Sequence, residues 1–209
     1  MYDEEEEVYV NPETRKFHMA VKRDNVNHVE SLLATGRVDV NAREDITERT
    51  ALHNAVLHYQ EQIVDVLLQH GAAIDRLDFS GHSVYHLAAE AGSSRRRSAQ
   101  EAEASSSHIV HALLVERATR STSPPMGEAA TGSTSIIDML FHPSHTGDLP
   151  LHFCAAYDNS EIAEILVHKM QQHPQQFFTP LLNANGMTPS QLADSRGYAK
   201  LSKYLEQQG

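Results

Sequence analysis

A short motif returns along this chain at a near-fixed interval, and that interval limits the fold more than any other feature. Thr50-Ala51-Leu52-His53 is its clearest copy, Ser83-Val84-Tyr85-His86 follows 33 residues later, and Leu149-Pro150-Leu151-His152 lies 66 residues beyond that. Thr188-Pro189-Ser190-Gln191 closes the series. A period near 33 belongs to a tandem array, in which each unit buries its apolar face only against its neighbours. Such an array offers an extended surface and no catalytic cleft of its own, so binding is the first functional expectation.

After Thr50 come Ala55, Ile63, Val64, Leu67, Leu68, Gly71 and Ala72, in phase and without a gap. This spacing predicts an inner helix whose small residues stack closely, and an outer helix carrying one apolar stripe. Gly71 caps the outer helix. An earlier unit runs through Phe17-His18-Met19-Ala20, Val29, Leu32, Leu33, Gly36 and Val40-Asn41-Ala42, opened by Asn11 as a cap and Pro12 in the first turn. Residues 1–10 form an acidic tail, expected to be a disordered, solvating extension of a repeat domain over 11–209.

The third unit starts in register with His86-Leu87-Ala88-Ala89 and Gly92, but its outer helix is delayed by 13 residues, to Ile109-Val110-His111-Ala112-Leu113-Leu114. Residues 93–107 fill the delay as an insertion without apolar period, predicted to be a loop. A second irregular stretch, about 117–147, contains Ser123-Pro124-Pro125 and Gly132, which break regular structure. Within it Ile136-Ile137-Asp138-Met139-Leu140-Phe141 reads as a short helix docked on the stack. An insertion is preferred to a degenerate repeat there, because no Leu-His core appears. The fourth unit spans Leu149 to Leu166, and the fifth resembles a cap, its outer helix polar at Lys200, Ser202, Lys203 and Glu206.

Taken together, the spacing and the Gly, Leu and His positions resemble the ankyrin-repeat family over roughly residues 13 to 207. The resemblance implies an all-α solenoid of about five helix-turn-helix units with two irregular insertions. It also implies that partners are held by the loop tips and by the exposed face of the inner helices. Carried over by position, the tip sites are Glu44, Ile46, Thr47 and Arg49, then Leu77, Phe79, Ser80 and His82, then His145, Thr146 and Asp148. The inner-helix sites are Lys22, Arg23, Leu57, His58, Glu90, Ala91, Ala156 and Tyr157. Ile46, Phe79, Leu57 and Tyr157 are apolar or aromatic at positions expected to be exposed, which suits interface anchors.

The net charge of −11 falls only to −6 when the five acids of the tail are set aside, the wrong sign for neutralising phosphates, so no nucleic-acid partner is expected. One cysteine excludes an internal disulfide, and no apolar run approaches a membrane span. The reading is a cytoplasmic or nuclear monomer that binds another protein and uses no cofactor. It fits an adaptor, inhibitor or assembly factor, with small all-ankyrin inhibitors of the NF-κB or cyclin-dependent-kinase kind as the narrower version.

His18, His53, His86 and His152 hold the motif position, where the family bonds backbone and hydroxyl groups, so they are read as structural. His142, His145, His152 and Cys154 are zinc-ligand types, but their spacing matches no zinc pattern and no metal is expected. An enzyme built on the His and Cys residues of the fourth unit is the lowest-ranked alternative, since a neighbouring pair lacks an oriented base and an oxyanion site; no catalytic residue is assigned. Candidate modification sites are Ser98 after Arg95-Arg96-Arg97, Ser123 before Pro124, and Asn41 and Asn183, which sit in Val-Asn-Ala and Leu-Asn-Ala contexts resembling asparaginyl-hydroxylase sites of the family.

Overall fold

A computed structural model describes residues 12–91, 107–114, 136–172 and 181–208. The acidic tail, the first insertion up to residue 106, Ser98 and Ser123 lie outside the described residues.

The first helix pair is α1 (Pro12–Lys22) and α2 (Val26–Ala34), and the second is α3 (Ala51–Leu57) and α4 (Glu61–Gln69). Next come α5 (Val84–Ala91) and α6 (residues 107–114), then the five-residue α7 (Ile136–Leu140). The series ends with α8 (Pro150–Tyr157), α9 (Ser160–Gln171), α10 (Pro189–Ser195) and α11 (Ala199–Gln208). Among the described residues there is no strand, only an isolated bridge between Arg43 and Thr50.

The inner helices α1, α3, α5, α8 and α10 pack each on the next, and the contact of α5 with α8 makes the third and fourth units direct neighbours. Their shared stripe is apolar and closed: Phe17, Val21, Leu52, Ala55, Leu87, Ala89 and Ala155 have no more than trace exposure. Ile63, Leu67, Ile109, Leu113, Ile162 and Leu166 do the same for the outer row. The stretch Ile136–Leu140 is the docked helix, burying Ile137, Met139 and Leu140 and packing on α9. Residues 144–148, part of which the sequence assigns to irregular chain, instead form the hairpin that opens the fourth unit.

Side chains at the starts of the outer helices tie the units together. Gln60 donates to the Val21 carbonyl at 2.6 Å, and Asn159 donates to the Ala89 carbonyl at 3.3 Å. Each accepting carbonyl lies in the last turn of the preceding unit's inner helix, where carbonyls are free of bonds within the helix; that of Val21 also accepts from the Asp24 N–H at 2.9 Å.

Candidate functional site

Each unit after the first begins with a tight hairpin whose ends are joined by one backbone bond: Glu44 to Arg49, Asp78 to His82, Ser144 to Asp148 and Asn183 to Met187, at 2.9–3.0 Å. Side chains at the first position hold the turn. The Asp78 carboxylate accepts from the Ser80 and His82 N–H groups, and the Asn183 amide oxygen accepts from Asn185 and Met187. The next-to-last turn position is left-handed, and three units place Gly81, Gly147 and Gly186 there, with φ of 70–75°. The second unit places Glu48 there at φ 52°, and its hairpin is one residue longer.

Neighbouring tips bond to each other. Phe79 N–H donates to the Thr47 carbonyl at 2.9 Å, His145 N–H to Ser80 at 3.0 Å, and Ala184 N–H to Thr146 at 3.4 Å. The glycines permit this approach: a Cβ on Gly147 would stand 2.7 Å from the Ala184 nitrogen, and one on Gly81 2.8 Å from the His145 ring. The tips are thus one hydrogen-bonded ribbon rather than independent loops.

Below the ribbon, the motif imidazoles fix each inner helix. Nδ1 of His53, His86 and His152 accepts the N–H of Thr50, Ser83 and Leu149, at 3.1–3.3 Å. Gln191 performs the same task for Thr188 through its side-chain oxygen at 3.0 Å. With Nδ1 accepting, Nε2 carries the proton and donates to the next hairpin: His86 to the Asp148 carbonyl and His152 to Met187, both at 3.0 Å. His18 Nε2 lies 3.1 Å from the Ala42 carbonyl. Burial holds the pKa of His53 down to about 4 and that of His86 down to about 3, and lowers His18 and His152 as well.

The sequence-predicted contact residues divide into distinct environments. Ile46 and Phe79, at adjacent tips, are 87% and 66% exposed. Ser80, His145 and Thr146 are exposed on the ribbon, and Arg23 and His58 on the helix surface. Tyr157 is 37% exposed beside the Glu90 carboxylate; burial, then that charge, raises its pKa. Leu57, expected to be exposed, instead packs half-buried against the core, as Leu77 does, because an apolar side chain beside the core gains by leaving water.

Several predicted charges are paired within the chain. Lys22 Nζ meets Glu44 Oε1 at 2.6 Å, and Thr47 Oγ1 donates to the other Glu44 oxygen at 3.0 Å. Arg49 Nε donates to Asp78 at 3.1 Å. Burial opposes ionisation of both acids, but these bonds, with the His82 and Ser80 N–H groups at Asp78, hold their pKa values below the usual carboxylate range. Asp148 accepts from Thr146 and from the Asn183 amide at 2.8 Å each.

An aromatic row that the sequence reading missed crosses the inner face. The Phe153 ring centre lies 5.0 Å from that of His82, 5.3 Å from His86 and 6.2 Å from Tyr157. Its signal was the i, i+4 spacing to Tyr157, which sets both rings on one helix face. Leu182, 53% exposed, is a second omission.

Asn41 and Asn183, alike in sequence context, occupy different turn positions. Asn41 reaches the following unit, accepting from Ala73 N–H at 2.7 Å and donating to the Gly71 carbonyl at 3.4 Å, whereas Asn183 folds its own hairpin with its oxygen and donates its amide to Asp148 of the preceding hairpin. The His and Cys residues of the fourth unit do not form a reactive pair: both nitrogens of His152 are engaged, and Cys154 is fully buried, with burial raising its thiol pKa far from neutrality. Among the described residues, no group of three or more His, Cys, Asp or Glu side chains could hold a metal ion, and no helix is long and apolar enough to cross a membrane.

The stacked pairs, the ribbon of tips and the repeated imidazole bond define a class, the helical-repeat solenoid. The chain belongs to the ankyrin-repeat family: a family model described as "Ankyrin repeats (3 copies)" matches residues 17–96, and one described as "Ankyrin repeat" matches residues 146–172. It is 26% identical to the chicken (Gallus gallus) nuclear factor NF-kappa-B p105 subunit over 178 residues, which cover 81% of this chain and 17% of that protein. Over 74 residues it is 42% identical to human 2-5A-dependent ribonuclease, covering 35% of this chain and 10% of the relative. Over 79 residues it is 30% identical to the Neurospora crassa ankyrin repeat protein nuc-2, covering 38% and 7%. The chain therefore spans no more than 17% of the length of these relatives. Family and likeness together make it a protein-interaction module.

Proposed function

We propose that this chain is a non-enzymatic adaptor, inhibitor or assembly factor that acts as a monomer in the cytoplasm or nucleus. It holds another protein across the hairpin tips and the inner-helix face. The supporting observation is the pair Ile46 and Phe79, large apolar side chains exposed at adjacent tips. Their backbones are held together by the bond between Phe79 N–H and Thr47, so binding orders little that is not already ordered. His82, Phe153 and Tyr157 extend the same surface inward, while the paired charges around Glu44 and Asp78 form its polar rim. The test is affinity capture from the native source with the natural chain beside an Ile46→Ala/Phe79→Ala variant. A partner retained by the first and lost by the second supports the reading; a partner held equally by both removes these tips from the interface.

A narrower reading, an inhibitor resembling those of NF-κB, is favoured by the likeness to the p105 subunit along most of this chain. Titration with a purified NF-kappa-B subunit distinguishes it from a general adaptor. Absence of binding at micromolar concentration rejects the inhibitor version alone.

A further inference from the structure

The first inner helix has two opposite faces. Phe17 and Val21 are fully buried on the side that packs against α3. The other side looks out of the end of the described stack and forms, with the start of α2, a groove of about 610 Å³. Pro12, Arg15, Lys16, Met19 and Arg23 line it in helical register, and His28 closes it from α2.

In a chain of net charge −11, this groove concentrates cations. Lys16 is matched by Glu13 at 2.9 Å, but among the described residues neither Arg15 nor Arg23 has an ion-pair partner. Met19, 43% exposed, supplies an apolar floor between the guanidinium groups. The geometry therefore calls for a short acidic segment with some apolar character.

Such a segment is joined to the groove's edge. Residues 1–10 read Met-Tyr-Asp-Glu-Glu-Glu-Glu-Val-Tyr-Val, ending two residues before Pro12. We propose that the acidic run Asp3–Glu7 of this chain docks on Arg15 and Arg23. The lengths agree. An extended chain from Glu7 to Pro12 spans up to ~17 Å, and the helical rise from Pro12 to Arg23 is also ~16 Å, so the tail can fold back over any part of the groove. The groove shares no residue with the hairpin tips, and of the inner-helix contact sites it includes Arg23 alone.

The test uses the full chain with a nitroxide spin label on a cysteine introduced by Tyr2→Cys. The native Cys154 is fully buried and stays unlabelled. At low ionic strength the label is expected to cut the Met19 methyl NMR signal to less than half, while leaving that of Met170, buried in the fourth unit, unchanged. The effect should vanish at about 1 M salt, where the Debye length is about 3 Å. It should also vanish in an Arg15→Glu/Arg23→Glu variant, and return when that variant carries lysines in place of Glu4, Glu5, Glu6 and Glu7. Replacing the four glutamates alone leaves the stack untouched and should abolish the effect too, so the outcome does not depend on how well the arginine variant folds. An unaffected Met19 signal, or broadening that survives either charge reversal, overturns the proposal. So does a free Glu-rich peptide that shifts Met19 while the tethered tail does not, which assigns the groove to an acidic partner instead.

Discussion

Acidification from pH 7 to pH 5 should cost the stack about 4 kcal/mol, chiefly through His53 and His86. Both imidazoles are fully buried and neutral, with pKa values held to about 4 and about 3 against 6.5 in the unfolded chain. A folded-state pKa below the unfolded value means that protons bind the unfolded chain first. The stabilisation is therefore complete above pH ~6.5 and is lost as pH falls toward the folded values. At pH 5 the unfolded imidazole is largely protonated and the folded one is not, a difference of roughly 2 kcal/mol for each residue. His18 and His152, also lowered by burial, add in the same direction. The lowered carboxylates Glu44 and Asp78 lose their contribution only below their own unfolded values of 4.5 and 3.8, so the window from pH 7 to 5 belongs to histidine. A loss of this size is large beside the typical domain stability of about 5–15 kcal/mol. Urea unfolding followed by far-ultraviolet circular dichroism at constant ionic strength measures it. A His86→Gln variant keeps the local acceptor, as Gln191 does in the fifth unit, and should lose about half of the pH dependence. Equal unfolding free energies at pH 7 and pH 5, or a His86→Gln variant with the full slope, would refute the reasoning.

Truncating Ile46 and Phe79 together should weaken partner binding by about 2 kcal/mol or more without moving the melting curve, whereas Gln69→Ala with Lys200→Ala, exposed on the outer helices, should leave the complex intact. Isothermal titration calorimetry and thermal melts check both pairs. Glu48→Gly should stabilise the fold by about 1 kcal/mol, since relief of a left-handed non-glycine residue outweighs loss of its exposed 2.7 Å pair with Arg43; an unchanged or lower urea midpoint would contradict this. Gly147→Ala should do the reverse by 1–3 kcal/mol, roughly the strain of that conformation, and more if the Ala184 tip is pushed away. Denaturation should then show a lower midpoint, with the loss greatest at the fifth unit in hydrogen exchange.

The repeat register, the helix pairs and the motif histidines were legible in the chain because each depends on contacts within a few residues. The turn that needs a left-handed residue, the imidazole three positions after the capping residue and the apolar stripe of an outer helix all arise inside one unit. Contacts between units were not legible in this way. Lys22 with Glu44 and Arg49 with Asp78 depend on how closely one unit stands to the next. The same spacing brings Phe153 of one inner helix against His82 and His86 of the preceding unit. Asn41 and Asn183 share a local context, yet the Asn41 side chain bonds to the following unit's backbone while that of Asn183 folds its own turn and bonds to Asp148 of the preceding one. The sequence by itself determined which residues belong to each unit and that such units must stack. The tertiary structure decided which exposed side chains remain for a partner, because that depends on the separation of surfaces that no single repeat contains.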